Sequence, residues 1–279
     1  MSERTAIEHD HPAPGPVDLY VEVGEGRVHV TATDTDRSAV RVTGHDAHDV
    51  ALELGDERVS VVGPRRRTGF LSGDRTLVVE VEVPHGSRVV TRTGSADVVL
   101  AGRVGRCQLR TGSGDVRVEE LGGPATVETG SGRVDIEEAG GELRVKSGSG
   151  DVRLGHAASA VAVSTGSGTV SVGSNDGPVA VKTGSGDLDV TEARTDVSLA
   201  TGSGDLRIGA ALRGRVTAKA ASGDVRVGVR SGTPVWTDIS TVTGSIRSGL
   251  PSTGAPADGQ DHVELRARTV SGDVVLTPA

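Results

Sequence analysis

The residues with the most chemical potential in this chain recur at a fixed interval. The strings TGSADV at Thr93, TGSGDV at Thr111, TGSGRV at Thr129, SGSGDV at Ser147, TGSGTV at Thr165, TGSGDL at Thr183 and TGSGDL at Thr201 begin 18 residues apart. Each offers hydroxyls, bare backbone and usually a carboxylate, and three chemistries use such sets. A phosphate-binding loop needs a strand, then GxxxxGK[ST], then a helix; here neither lysine nor helix follows. A calcium β-roll repeats GGxGxDxUx twice per coil. Here one half-coil carries the glycines, its Asp falls one position early, and Arg133 and Thr169 interrupt the ligand column. A polysaccharide-cleaving solenoid needs two carboxylates about 5–10 Å apart in a cleft. Asp97, Asp115, Asp151, Asp187 and Asp205 could supply them, but no insertion walls a cleft. No aromatic platform is available either, since the chain has one Trp, one Tyr and one Phe.

The other candidates are as sparse. The histidines His9, His11, His29, His45, His48, His85, His156 and His262 show no ligand spacing. His45 and His48 with Asp46 and Asp49 come nearest to a metal cluster, in what reads as a surface loop. No nucleophile, base and orienting group assemble, so the sequence assigns no catalytic, cofactor-binding or metal-binding residue. One cluster is basic. GPRRRTGFLSGDR places Arg65, Arg66 and Arg67 near Phe70 and Leu71 in a chain of net charge −8. Such a run is either a solvated loop or a docking site for an acidic partner or membrane surface.

Composition narrows the classes further. The acidic balance argues against general affinity for nucleic acid. No apolar run approaches the roughly 18 residues of a membrane-crossing helix, and three aromatics cannot form the girdles of a membrane barrel. A lone cysteine leaves no intramolecular disulfide framework and no thiolate zinc site. Residues 1–16 lack the apolar stretch of a secretory signal and read as a flexible tail. The protein is therefore expected in the cytoplasm, with Cys107 a reduced core thiol and no cofactor.

The elements that must position the TGSG segments follow from the columns around them. In each 18-residue window, position six is Val98, Val116, Val134, Val152, Val170, Leu188 and Leu206. Position eight is Leu100, Val118, Ile136, Leu154, Val172, Val190 and Ile208. Positions fifteen and seventeen begin with Cys107, Ala125, Leu143 and with Leu109, Val127, Val145. This is period-two alternation in two strands per window. A helical repeat would lose about 2 kcal/mol per window to its glycine pairs. A chain that returns to the same place every 18 residues is an all-β solenoid with two main strands per coil. Its parallel crossovers predict right-handed winding. The glycines, 41 in all, are expected to supply positive φ at the TGSG corner. Thr111 and Ser113 should form a stacked hydroxyl ladder, and the position-five and position-seven charges should form register-tuning ion-pair ladders.

Weaker copies follow at Ala220, Val242 and Thr269. Before Ser87 the alternation persists without the period, so residues 17–86 read as an irregular N-terminal β cap. Residues 87–279 read as the solenoid, continuous with the cap, with a C-terminal capping region around 234–279 where Trp236 plugs the last core layer.

The stretches VDLYVEVGEGRVHVTATD, TGSGDV, VRSGTPVWTDISTVTGSI and VELRARTVSGDVVL together resemble the bacterial Toastrack family of β-strand-repeat proteins, often labelled adhesins. The resemblance covers almost the whole chain. It implies a β-solenoid without catalytic residues to carry over, and relatives that carry membrane segments or sit beside envelope-stress systems. The leading expectation is a non-enzymatic scaffold or binding module, monomeric or weakly oligomeric, presenting a rigid face to a protein partner. The alternatives are a self-polymerising solenoid of the bactofilin type and, behind it, a carbohydrate-active solenoid.

Overall fold

The computed structural model describes residues 5–64, 76–251 and 259–279. The chain falls into two compact units, Met1–Glu142 and Leu143–Ala279, whose boundary nothing in the sequence marks.

The first unit contains β1 (Thr5–Pro12), β2 (Asp18–Val23), β3 (Gly26–Thr33), β4 (Arg37–Gly44), β5 (Ala51–Leu54), β6 (Arg58–Val62), β7 (Leu77–Pro84), β8 (Arg88–Thr93), β9 (Asp97–Val104), β10 (Cys107–Thr111), β11 (Val116–Leu121), β12 (Ala125–Thr129) and β13 (Val134–Ala139). One sheet runs β1-β4-β7-β3-β9-β11-β13 and the other β12-β10-β8-β2-β6-β5. The alternation explains why two sheets form: each strand turns one column of valines inward and one polar column outward. Val116 lies beside Val134 and Val118 beside Ile136 in parallel register. On the opposite sheet Cys107 and Leu109 lie beside Ala125 and Val127. All eight are buried, each large aliphatic contributing about 1.5–3 kcal/mol. The 18-residue rungs are thus stacked as the columns require.

Residues 17–86 are more ordered than the loss of period suggests. The pair β2–β3 is a rung stacked directly on β8–β9, and β6–β7 is a second rung on its other side. The spatial order is therefore β6–β7, β2–β3, β8–β9, so the chain's first rung is paired on both edges. The outermost rung is closed by antiparallel strands, β4 on β7 and β5 on β6. The strands inserted between these rungs, together with the longer connection from Val62 to Leu77 within the second of them, erase the period. The expected flexible tail is a correction: Thr5–Pro12 pairs with Arg37–Gly44 over eight residues, and Ala13 behind it is fully buried. The free edge of β4 offers unpaired backbone groups, which an apolar-poor strand can satisfy without contributing to the core.

The second unit contains β14 (Leu143–Ser147), β15 (Val152–Ala157), β16 (Val161–Thr165), β17 (Val170–Asn175), β18 (Val179–Thr183), β19 (Leu188–Ala193), β20 (Val197–Ser203), β21 (Leu206–Ala211), β22 (Gly214–Ser222), β23 (Val225–Val229), β24 (Val235–Thr241), β25 (Ile246–Ser248), β26 (Val263–Ser271) and β27 (Val274–Pro278). Its sheets run β14-β16-β18-β20-β22-β26-β24 and β15-β17-β19-β21-β23-β27-β25. The order is again swapped at the end. The later rung, β26–β27, is paired on both sides, and β24–β25 lies outermost.

Candidate binding surface

The TGSG corners are built by close approach. A Cβ on Gly114 would fall 2.0 Å from the carbonyl oxygen of Ala96, and one on Gly132 would fall 1.9 Å from that of Gly114. Gly168, Gly186 and Gly204 meet the preceding corner in the same way. None of these glycines has positive φ; among the corners the expected conformation appears only in the later copies, at Gly223 and Gly272 (φ 146° and 151°). In the regular corners the expected positive φ is corrected: glycine is required because successive corners stack with no room for a side chain.

The threonine that opens each corner is buried, at Thr111, Thr129 and Thr165. Its Oγ1 accepts the N–H of the glycine three residues on, at 3.0 Å for Gly114 and Gly132 and 3.2 Å for Gly168. These hydroxyls close their own turns, whereas a ladder between rungs was expected; Thr201 Oγ1 is buried without a hydrogen-bond partner, and Ser113 points to solvent. The position-five aspartates reach the next rung. Asp97 Oδ1 accepts the N–H of Asp115, Asp115 Oδ1 that of Arg133, and Asp187 Oδ1 that of Asp205, at 2.8–3.0 Å. The chain of bonds continues from Asp205 to Asp224, from Asp224 to Asp273 and from Asp273 to Ser245. Charge assistance makes such bonds stronger than neutral ones. It explains why an aspartate column survives next to itself, at Asp187 and Asp205, and why Arg133 interrupts it without harm: the recipient supplies only its amide. The ion-pair ladders are present but peripheral, with Arg110 Nε 3.0 Å from Glu128 and Arg207 3.7 Å from Asp189.

Opposite the TGSG corners, the second unit gathers polar groups that the columns did not announce. His156 Nδ1 lies 2.9 Å from Ser174 Oγ, and His156 Nε2 lies 3.4 Å from Asp176 Oδ2. Arg194 reaches the same aspartate at 3.5 Å and Glu192 at 2.5 Å. The order serine–histidine–aspartate resembles a nucleophilic triad, but its chemistry is incomplete. The N–H groups of Asp176 and Gly177 both donate to the Ala157 carbonyl, so neither is free to stabilise an oxyanion. The array stitches neighbouring rungs. The signal for it was available, since His156 and Ser174 occupy one column. Next to it a shallow depression of about 430 Å³ is lined by Arg194, Arg213, Arg230 and Asp261; Arg213 lies 3.8 Å from Asp261. In the first unit a second depression of about 380 Å³ lies on the outer sheet face among Val99, Arg117, Glu119, Asp135 and Glu137.

The family-model comparison matches residues 18–277 to Toastrack DUF4097. The chain belongs to that family. No significant match exists among curated proteins. Similar solved structures include a "putative adhesin" from Parabacteroides merdae, 11% identical with a TM-score of 0.43, covering 98% of this chain and 96% of that one. Another is a "putative adhesin" from Bacteroides fragilis, 11% identical with a TM-score of 0.41, covering 98% and 97%. A third is a "putative lipid binding protein" from Parabacteroides distasonis, 12% identical with a TM-score of 0.39, covering 98% and 96%. At such scores these names stay with those proteins.

In this Toastrack chain the remaining sequence candidates fall as follows. Arg65, Arg66, Arg67, Phe70 and Leu71 lie outside the described residues. Among the described residues, no group of three or more His, Cys, Asp or Glu side chains could hold a metal ion. His48 and Asp49 sit in a short 3-10 turn, Ala47–Asp49, and no described helix is long and apolar enough to cross a membrane. Cys107 is buried, and desolvation pushes its thiol up to about 12. Trp236 is a correction. It is 52% exposed because it pairs with Glu264, which places it in the outward phase of β24. Its ring lies 5.7 Å from the Arg266 guanidinium, a cation–π contact on the outer face.

Proposed function

We propose that the chain is a non-enzymatic β-solenoid module that presents the outer face of its stacked rungs to a protein partner. One observation carries the reading. The columns richest in functional groups, the corner threonines other than Thr201 and the position-five aspartates, are hydrogen-bonded into their own turn or the next rung. What is left to meet another molecule is the regular outer surface, where Arg117 stands beside Asp135 and Glu137 around an open depression. A rigid scaffold with mixed charge provides specificity through electrostatic complementarity more than through a deep pocket. The segment bearing Arg65, Arg66, Arg67, Phe70 and Leu71 is proposed as a second docking element for an acidic partner, on the strength of its composition.

Affinity capture with mass spectrometry tests both parts. Wild type is compared with Arg117→Glu/Glu137→Arg and with Arg65→Ala/Arg66→Ala/Arg67→Ala. A partner retained by wild type and lost with the first variant supports the face; loss with the second supports the loop. A partner indifferent to both, or turnover of a polysaccharide substrate by the wild type, overturns the reading.

A further inference from the structure

The outermost rung of the second unit, β24–β25, is left open. Its residues Val235, Ile239 and Ile246 continue inward columns, pairing with Val263, Ala267 and Val274, with Thr237 in the same phase between the first two. Those three partners are fully buried, yet Ile246 is 51% exposed and Val235 and Ile239 are only half-buried. The core layer therefore ends at solvent. The corner column changes character at the same place. The first glycine of the motif, at Gly184 and Gly202, gives way to Ala221 and then to Val270 and Val242, which are 54% and 75% exposed. With Trp236, these make up all the exposed large apolar residues among the described ones. They lie on the last two rungs.

Both strands also end their sheets, so one edge of each is unpaired among the described residues. Edge strands are ordinarily protected by lysine, proline, a bulge or a covering element. VWTDIST and IRS contain no lysine or proline. The outermost rung of the first unit shows the contrast. There β4 and β5 continue the sheets antiparallel, and Val59, Val61, Val79 and Val81 are at most 2% exposed.

We propose that the β24–β25 rung is a self-association surface, and that its occupant is the same rung of a second copy related by a twofold axis. Two features select this occupant. A surface made of two strand edges flanking an apolar layer is matched in spacing and chemistry by another of itself, as an isologous contact requires. The charges are complementary as well. The rung's two strands carry one of each sign, Asp238 on β24, which also lies 3.9 Å from Arg268 of β26, and Arg247 on β25. A twofold axis along the strands sets each copy's β24 antiparallel to the other's β25 and brings these opposite charges together. Because the contact uses the same surface from both sides, assembly closes at two copies.

Analytical ultracentrifugation over a wide concentration range tests this. The expected result is a mass that rises from 28.3 kDa to twice that. Ile246→Lys should hold the protein as monomer with an unchanged far-UV spectrum. As a control for folding, Asp238→Arg should weaken association at least tenfold, and Asp238→Arg/Arg247→Asp should restore it. Monomer at every concentration, growth beyond two copies, or association insensitive to these substitutions overturns the proposal.

Discussion

Replacing Gly132 by alanine should be far more damaging than a surface glycine substitution usually is. The new Cβ would sit 1.9 Å from the Gly114 carbonyl oxygen and 2.6 Å from its carbon, where ordinary contact begins at 3.4 Å. The obstacle is backbone, so no rotamer change relieves it, and the two corners must separate locally by about 1.5 Å. Two of the bonds that span that gap are 2.9 Å long, Gly130 N–H to Gly112 O and Arg133 N–H to Asp115 Oδ1. Their loss at about 1 kcal/mol each, with about 1–3 kcal/mol for overpacking, gives about 3–5 kcal/mol. For a unit of this size that corresponds to roughly 6–20 °C in melting temperature. Gly24→Ala is the control, since nothing lies within 4 Å of its would-be Cβ. It should be neutral or stabilising by about 0.4–1 kcal/mol through the unfolded chain. Urea unfolding followed by far-UV circular dichroism measures both. Equal midpoints for the two variants would refute the argument that corner-to-corner contact selects glycine.

Other outcomes follow from single contacts. Asp115→Asn keeps an oxygen for the Arg133 amide and should cost little, whereas Asp115→Ala should lower stability by about 1–2 kcal/mol in the same urea assay. The Asp273 carboxyl is held below its ordinary 3.8, first by the Ser245 amide it accepts. Its folded form therefore favours ionisation: the stabilisation is complete above the ordinary value and is lost as pH falls through the lower folded value. The protection of the Ser245 amide, taken against intrinsic exchange at each pH, should fall in acid, and Asp273→Asn should flatten that dependence. Cys107, with its thiol raised to about 12, should resist a thiol reagent at neutral pH until the protein is unfolded; rapid labelling of the native protein would contradict its burial.

The period and the inward columns were legible because side-chain alternation is a local property of a strand. Val116, Val118, Cys107 and Leu109 could be placed inside from spacing alone. Three features were not legible, for three physical reasons. The rung swap places β6–β7 outside β2–β3; alternation tells which face is buried but not which strand lies next to which. The aspartate bonds run to a backbone amide on the next rung, and every sequence supplies amides, so the recipient leaves no mark in the columns. The size of Trp236 suggests a plug, whereas its pairing with Glu264 sets it outward, and a strand's partner is not written in its own residues. The candidate docking residues Arg65, Arg66, Arg67, Phe70 and Leu71 rest on composition, because charge clustering in a loop carries no periodicity from which a position can be inferred.

The stacking itself can be tested by trapping one register. Arg117 and Asp135 are direct neighbours on successive rungs, where strands about 4.8 Å apart suit the roughly 4.4–6.8 Å separation of a disulfide. In a Cys107→Ala background, Arg117→Cys/Asp135→Cys should oxidise readily to an intramolecular bridge. Arg117→Cys/Glu137→Cys, out of register by two residues and about 8 Å apart, should stay reduced under the same conditions. Bridging of the second pair in preference to the first, or of both alike, would mean that windows eighteen residues apart are not neighbours in this fold.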